Sequence, residues 1–187
     1  MIMEQVSPNP RGDRPEIDGS AWLDPSARVV GRVSIGPRVF VGPVAVLRAD
    51  EPGPDGTVAG ISIGPESNVQ DGVIIHALGG TRVDVGRRVS LAHGCVVHGP
   101  CSMGDGCFVG FRAIVYHADV GAGTMIAAAA LVQDVTVPPG RFVPPGTVVI
   151  SQEQADALPP VGPRQQEFMA RVVAANLALA NGYRRPG

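Results

Sequence analysis

Aliphatic residues recur every six positions along most of the chain, and this period is the main pattern of the sequence. Glycine follows many of them, as in Ile35-Gly36 and Val85-Gly86. The fifth position of each unit is mostly small or β-branched: Ala45, Ser67, Val73, Val89, Cys95, Cys101, Cys107, Ala113, Thr124 and Ala130. The period exceeds the ~3.6 residues of a helical turn and is too regular for hairpins. It is typical of short parallel strands that form the sides of a triangular coil, with about 18 residues per coil.

The period predicts an all-β fold, a parallel β-helix built as a hexapeptide-repeat solenoid, with its aliphatic and small positions pointing inward. We expect the β-helix to span residues 21–150, after an N-terminal extension at 1–20 and before a C-terminal helical segment at 151–187. Two insertions, at 51–60 and 79–84, interrupt the period. Loops that leave a solenoid tend to form its functional surface. The glycines are expected at corners, where the backbone needs either a positive φ or a close approach to the next coil.

The C-terminal segment has a helical pattern instead of the six-residue period. Ser151 is expected to cap a short helix at 152–158, and a proline-rich linker follows. Apolar residues at helical spacing between Arg164 and Gly182 predict an amphipathic helix. This helix is expected to lie along one face of the β-helix, because its apolar side needs a partner.

Composition limits the possible classes of function. Hydrophobic residues make up 44% of the chain and aromatic residues only 4%, so the core must consist of small and aliphatic side chains in thin layers. The net charge of −2 argues against a nucleic-acid or anionic-membrane partner. All 15 basic residues are arginine, which excludes Schiff-base chemistry and a P-loop lysine. With no signal-like start and no apolar run that could span a bilayer, we expect a soluble, cytoplasmic protein.

The three cysteines, Cys95, Cys101 and Cys107, are spaced like a possible metal cluster. Each of them occupies the inward, small position of its unit. An odd number of cysteines also argues against a secreted disulfide framework. We therefore interpret all three as small buried hydrophobic residues.

The second position of a unit departs from glycine in one contiguous group of coils, at Arg48, Gln70, His76, Ala92, His98 and Tyr116. Counting units places Val97 three units after Ile75, on the same side of the triangle and one coil further along. His76 and His98 should therefore stack about 5 Å apart. Two imidazoles at that separation can share one metal ion.

His93 belongs to the unit that begins at Leu91, on the preceding side of the coil, so its side chain should diverge from that of His98 across a corner. A threefold assembly would bring the neighbouring subunit's His93 to His76 and His98 and would form a metal site at each interface. Three imidazoles with an open fourth position are an arrangement of catalytic zinc sites. His117 lies one position later in its unit, and we interpret it as solvated or structural.

Three runs of the sequence resemble the γ-class carbonic anhydrases: LRADE at 47–51, SNVQDGVIIH at 67–76 and SLAHGCVVHGP at 90–100. The stretches at 139–146 and 151–156 are also similar to that family. The resemblance implies a left-handed β-helix that assembles as a homotrimer. It also implies reversible hydration of CO2 to bicarbonate by a metal-bound hydroxide at the subunit interface.

The resemblance implies that His76, His98 and the neighbouring subunit's His93 bind the metal. It implies that Gln70 hydrogen-bonds the hydroxide, that Asn68 positions CO2 and that Asn176 has a further role in the site. It also implies an interface ion-pair network of Arg48, Asp50 and Asp71. Glu51 matches the first of two loop glutamates that help move protons in the best-studied form of the family. Gly79 and Gly80 stand where the second glutamate is expected, and Ala174 stands where a tyrosine is expected. These departures concern proton transfer and the rate of catalysis, and they leave the metal ligands intact.

We therefore expect a carbonate dehydratase, a lyase that uses Zn²⁺, although Fe²⁺ or Co²⁺ would also accept three imidazoles. A second hypothesis, from a different class, is a catalytically weak metal-binding trimer that serves as a scaffold or assembly protein. A third is a hexapeptide acyltransferase with one histidine as general base. That enzyme would need an acyl-CoA groove and would have no use for stacked ligand histidines.

Overall fold

The computed structural model describes residues 5–184 and is a left-handed β-helix of about seven turns followed by two helices. In chain order the strands are β1 (Val6–Ser7), β2 (Glu16–Ile17), β3 (Trp22–Leu23), β4 (Arg28–Gly31), β5 (Val33–Ile35), β6 (Phe40–Val41), β7 (Val46–Ala49), β8 (Gly60–Ile63), β9 (Asn68–Val69), β10 (Ile74–His76), β11 (Arg82–Val85), β12 (Ser90–Leu91), β13 (Val96–Met103), β14 (Phe108–Val109), β15 (Ile114–Val120), β16 (Met125–Ile126), β17 (Leu131–Gln133), β18 (Thr136–Val137), β19 (Phe142–Val143) and β20 (Val148–Val149). The helices are α1 (Gln152–Asp156) and α2 (Pro163–Tyr183).

The strands form three faces, and each strand pairs in parallel with its equivalent in the next coil. Face 1 contains β1, β4, β7, β10, β17, β20 and the first halves of β13 and β15. Face 2 contains β2, β5, β8, β11, β18 and the second halves of β13 and β15, which continue through the corner. Face 3 contains β3, β6, β9, β12, β14, β16 and β19. The predicted fold class is therefore confirmed.

The inward positions of the repeat form one continuous core. On face 1, Val29, Leu47, Ile75 and Val97 pair in register on successive coils, and all four are fully buried. The small side chains at the fifth position are buried as predicted. Burying an aliphatic side chain contributes about 1.5–3 kcal/mol. The stability of the fold therefore comes from repeating this contact in every coil.

The corner glycines at the second position serve the close approach of successive coils. The backbone at Gly64 does not have a positive φ, and a Cβ there would lie 2.5 Å from the carbonyl carbon and oxygen of Gly86 in the next coil. Positive φ angles occur at a different corner position, which is glycine at Gly72 but arginine at Arg88. Of the two expected reasons for glycine at the second position, lack of space is the one that applies at Gly64.

The β-helix begins before residue 21, where the repeat alone placed its start. Strand β1 pairs with β4, and strand β2 pairs with β5, so part of the predicted extension at 1–20 belongs to the sheets. The signal is weak there because these strands have two residues each and their side chains are only half buried or exposed. Residues 1–4 and 185–187 of the predicted terminal segments lie outside the described residues.

The second insertion is shorter than the predicted 79–84. Strand β11 begins at Arg82, and the inward-facing Val83 pairs with Ile61 of the previous coil. The extra residues therefore leave the β-helix in a tight loop at 77–81. The period gives the number of extra residues but not the point within the unit where they leave.

The short helix α1 is capped as predicted. Ser151 and Gln154 form a capping box, in which each side chain accepts a hydrogen bond from the other residue's backbone N–H. The helix ends at Asp156, two residues before the predicted end at Leu158. Leu158 precedes Pro159, and the residue before a proline is disfavoured in a helical conformation.

The long helix α2 extends the predicted helix by one residue at each end and packs along face 3. Phe168 of α2 meets the ring of Phe108 edge-on, with centroids 5.3 Å apart. At the other end of the helix, Tyr183 stacks on Trp22 with centroids 4.3 Å apart. No helix within residues 5–184 is long and apolar enough to cross a membrane.

The three cysteines are free and buried, as the repeat predicts. Burial raises the pKa of Cys95 to about 12 and that of Cys107 to about 11, and it also raises the pKa of Cys101. The reactive form of cysteine is the thiolate. These thiols therefore remain protonated and inert in the folded protein at neutral pH.

We expect a thiol reagent at pH 8 to label no cysteine of the native protein during the time in which it labels all three in denaturant. Mass spectrometry counts the labelled thiols in both samples. Rapid labelling of the native chain at Cys95, Cys101 or Cys107 would contradict the described burial.

Candidate metal site

An outward-facing polar row on face 1 contains the two stacked histidines. Arg48, His76, His98 and Tyr116 pair in register on four successive coils. The His76 and His98 rings are 4.8 Å apart between centroids, and Nδ1 of His76 lies 3.0 Å from Nε2 of His98. Two nitrogens at ~2.0–2.1 Å from one tetrahedral zinc ion would be about 3.3 Å apart. The predicted register is therefore confirmed, and the two imidazoles can serve one ion with little movement.

The second ring nitrogen of His98 is held by the backbone. Its Nδ1 lies 3.2 Å from the carbonyl oxygen of Gly99. A carbonyl oxygen only accepts hydrogen bonds, so the proton belongs on Nδ1 and the lone pair on Nε2 faces His76. Outer contacts of this kind set the tautomer of metal-binding histidines.

His76 is mostly buried, and its Nε2 atom makes no hydrogen bond within the described chain. The carboxylates nearest to Nε2 are those of Glu51, at 3.4 Å, and Asp50, at 3.8 Å, and neither contact has hydrogen-bond geometry. Burial lowers the pKa of His76, the Glu51 carboxylate opposes the shift, and the nearby His98 ring lowers it further. The neutral ring, which is the metal-binding form, is therefore favoured.

The ion-pair residues of the predicted interface network fall into two groups. Arg48 binds Asp50 through two hydrogen bonds of 3.1 Å each, and this contact raises the pKa of the Arg48 guanidinium. Asp71 lies elsewhere, with its Oδ2 atom 3.6 Å from Nδ1 of His93. Within residues 5–184, no ion pair joins Asp71 to Arg48.

His93 lies at the corner between faces 3 and 1, in a row with Asp71 and Phe111. Backbone hydrogen bonds from Gly94 to Asp71 and from Arg112 to His93 set these three residues at the same position of successive coils. The His93 ring stacks on Phe111 with centroids 5.6 Å apart and planes 13° apart. About half of the His93 side chain is exposed, so it is available to a partner.

Asn68 and Gln70 form a buried polar chain on face 3. The Nδ2 atom of Asn68 donates to Oγ of Ser90 at 2.8 Å, and Nε2 of Gln70 donates to Oδ1 of Asn68 at 3.0 Å. Asn176 of α2 is buried nearby and donates to the carbonyl oxygen of Val172 at 2.9 Å. Gln70, Asn176 and His93 line the same cleft, of about 370 Å³, between face 3 and α2.

The structure therefore divides the predicted site residues between two places. His76 and His98 lie with Glu51, Asp50 and Arg48 on face 1. His93 and Asp71 lie at the corner, beside the cleft that contains Gln70 and Asn176, with Asn68 buried behind Gln70. In the part of the chain that the structure describes, no three His, Cys, Asp or Glu side chains are grouped closely enough to hold a metal ion.

The prediction gave no role in the site to three neighbours of its residues. Tyr116 lies 5.3 Å from the His98 ring, Phe111 covers His93, and Ser90 anchors Asn68. Each of them occupies the position of a predicted residue in an adjacent coil: Tyr116 that of His98, Phe111 that of His93 and Ser90 that of Asn68. Counting units would therefore have found them. His117 is largely exposed, and its Nδ1 atom lies 2.7 Å from Oδ1 of Asp134, consistent with its interpretation as a solvated or structural residue.

No family model matches the sequence. The chain is 39% identical over 197 residues to the carbonic anhydrase of Methanosarcina thermophila. The matched region covers 94% of this chain and 77% of that protein. It is 41% identical over 178 residues to the carboxysome assembly protein CcmM of Nostoc sp., covering 90% of this chain and 31% of that protein. The chain thus spans about a third of the length of that relative.

Solved structures share the fold. A hexapeptide transferase family protein from Anaplasma phagocytophilum superposes with a TM-score of 0.81 at 26% identity, covering 96% of this chain and 98% of that one. A putative acetyltransferase of Bacillus cereus gives a TM-score of 0.80 at 22% identity, over 95% of both chains, which supports the fold alone. The fold and the paired histidines define a hexapeptide-repeat β-helix protein with a candidate metal site. Within that class, the chain belongs to the γ-class carbonic anhydrase family.

Proposed function

We propose that the chain hydrates CO2 reversibly to bicarbonate as a homotrimer, at a metal site shared between two subunits. The observation that carries this proposal is the register of His76 and His98, with facing nitrogens 3.0 Å apart. The 39% identity to a carbonic anhydrase, over 77% of that protein, supports the same reaction and a metal cofactor in general. We propose zinc, because three neutral imidazoles are a frequent catalytic zinc ligand set.

The division of the site residues supports a shared site. His93 belongs to the same coil as His98, and Asp71 belongs to the same coil as His76. If three copies pack side by side with their coils level, the neighbouring subunit's His93 approaches His98. The neighbouring subunit's Asp71 then lies near the row that begins with Arg48, which would complete the ion-pair network.

Face 1 also has an apolar surface that a second copy would cover. Ile74, Val96, Ile114, Leu131 and Val148 form an outward row beside the histidines. Three of them are exposed: Ile74 by 46%, Ile114 by 41% and Val148 by 49%. Removing such a row from water favours association, and contiguous exposed apolar surface often marks an interface.

When bound, a metal held by neutral imidazoles supplies the acidity that makes water a nucleophile near neutral pH. The hydrogen bonds from Gln70 to Asn68 and from Asn68 to Ser90 fix the Gln70 side chain at the cleft that His93 also lines. We propose that Gln70 orients the attacking water and that Asn68 helps to position CO2. Addition of water to CO2 gives bicarbonate and one proton, which buffer or the half-exposed Glu51 carboxylate takes up.

A trimeric scaffold of low activity is the second candidate function. It is favoured by Gly79 and Gly80 at the place of the second loop glutamate and by Ala174 at the place of the tyrosine. The similarity to CcmM, a carboxysome assembly protein, points in the same direction. The two candidates share the metal site and differ in the rate of catalysis.

Stopped-flow CO2 hydration by the zinc-loaded protein, with metal analysis and native mass measurement, tests the proposal. We expect about one metal ion per chain, a trimer, and activity that His98→Ala lowers by at least about 100-fold. His117→Ala is the matched control, because His117 pairs with Asp134 away from the site. A metal-loaded trimer without activity would support the scaffold, and a monomer without metal would contradict both candidates.

A further inference from the structure

The two loops that interrupt the repeat meet beside His76. The loops at 50–59 and 77–81 leave the β-helix at the same corner, one coil apart. Their backbones are in close contact: a Cβ on Gly79 would lie 2.7 Å from the carbonyl oxygen of Pro52, and a Cβ on Gly53 would lie 2.7 Å from Cα of Gly80. We refer to this contact between residues 50–59 and 77–81 as the loop clasp.

The loop clasp holds the Glu51 side chain. The backbone N–H of Gly79 donates to Oε2 of Glu51 at 3.2 Å, while Oε1 of Glu51 lies 3.4 Å from Nε2 of His76. The other carboxylate near His76 is Asp50, which Arg48 already binds through two hydrogen bonds. Glu51 is therefore the carboxylate that remains available to the outer nitrogen of His76.

We propose that the loop clasp positions Glu51 to accept a hydrogen bond from Nε2–H of His76 when Nδ1 of His76 binds the metal. The inference rests on the proposed metal site and assigns a positioning role to Gly79, acting through Glu51. In the metal-free chain Nδ1 of His76 donates to Nε2 of His98, because His98 carries its own proton on Nδ1. A metal ion takes the place of that proton, so the neutral His76 ring then carries its proton on Nε2, 3.4 Å from Oε1 of Glu51. Carboxylate contacts of this kind raise the basicity and fix the orientation of ligand histidines.

The glycines of the short loop are what make this contact possible. A side chain at position 79 would collide with Pro52, and one at position 53 with Gly80, so any larger residue at either position would separate the loops. Where a second glutamate is expected, this chain therefore has Gly79, whose backbone N–H binds the Glu51 carboxylate. A fastened carboxylate suits the orientation of His76, and this role of Glu51 is additional to the proton uptake proposed above.

Zinc affinity and the exchange of the His76 Nε2–H proton test the loop clasp. We expect Gly79→Ala and Glu51→Ala to weaken zinc binding, measured by chelator competition on the full chain, by about 10- to 100-fold. Glu51→Gln should retain most of the affinity, because its amide oxygen still accepts hydrogen bonds. Gly19→Ala is the matched glycine control, since a Cβ there contacts nothing within 4 Å.

The Nε2–H proton of His76 is measured by NMR on the zinc-loaded, nitrogen-labelled protein, with His76 assigned by substitution. We expect this proton to exchange slowly with water in the wild type and faster in Gly79→Ala and Glu51→Ala. Glu51→Ala leaves the loop backbone unchanged, so it remains informative if Gly79→Ala folds poorly. Unchanged zinc affinity and unchanged proton exchange in Glu51→Ala would overturn the inference alone. A wild-type chain that binds no zinc would instead refute the proposed function and, with it, the inference.

Discussion

Mixing chains that carry His93→Ala with chains that carry His98→Ala is expected to restore activity that neither variant has alone. Each site of the proposed trimer takes His98 from one chain and His93 from the next. A site is intact when the first chain keeps His98 and the next keeps His93, which holds for about a quarter of the sites in a random equal mixture. Stopped-flow CO2 hydration and the zinc content of the reassembled mixture measure the recovery.

The matched control is a mixture of His76→Ala with His98→Ala. These residues belong to the same face of the same chain, so every site in that mixture lacks a ligand and no activity should return. Each variant is also dissociated and reassembled alone by the same procedure. Failure of the His93 and His98 mixture to recover, when native mass measurement shows mixed trimers, would show that one chain supplies all the ligands.

Gly64→Ala is expected to destabilise the β-helix by at least about 3 kcal/mol, which is at the upper end of the usual cost of overpacking a core. The added methyl group would lie 2.5 Å from the backbone carbonyl of Gly86, and the next coil cannot yield without breaking its own strand register. Unfolding in urea, followed by circular dichroism, measures the change through the midpoint and slope of the transition.

Gly19→Ala again provides the comparison, because it adds the same methyl group where nothing lies within 4 Å. Its urea midpoint should remain close to that of the wild type. A Gly64→Ala chain as stable as Gly19→Ala would mean that the coils can separate at this corner. The explanation of the second-position glycines by close approach would then be wrong.

The repeat made the fold and the histidine register predictable. A buried position every six residues can be satisfied in the same way by each coil, so Leu47, Ile75 and Val97 reveal their stacking from spacing alone. Because the side chains next to them follow the same register, the pairing of His76 with His98 also follows from counting. The first strands were missed because their side chains are too exposed to carry the pattern.

Contacts that depend on loops and rotamers were not predictable in this way. The loops at 50–59 and 77–81 lie outside the repeat, so no period fixes how they meet or that Gly79 binds Glu51. The hydrogen bond from Asn68 to Ser90 depends on side-chain torsions, which the register leaves free.

The sequence by itself determined the all-β solenoid, the inward positions and the alignment of His76 with His98, because burial repeated at a fixed interval specifies one register. Only the tertiary structure decided that His76 is buried beside Glu51 and that the His93 ring stacks on the ring of Phe111. The reason is that burial and contact across a corner depend on how far each side chain projects from its coil, and spacing along the chain contains no such distance.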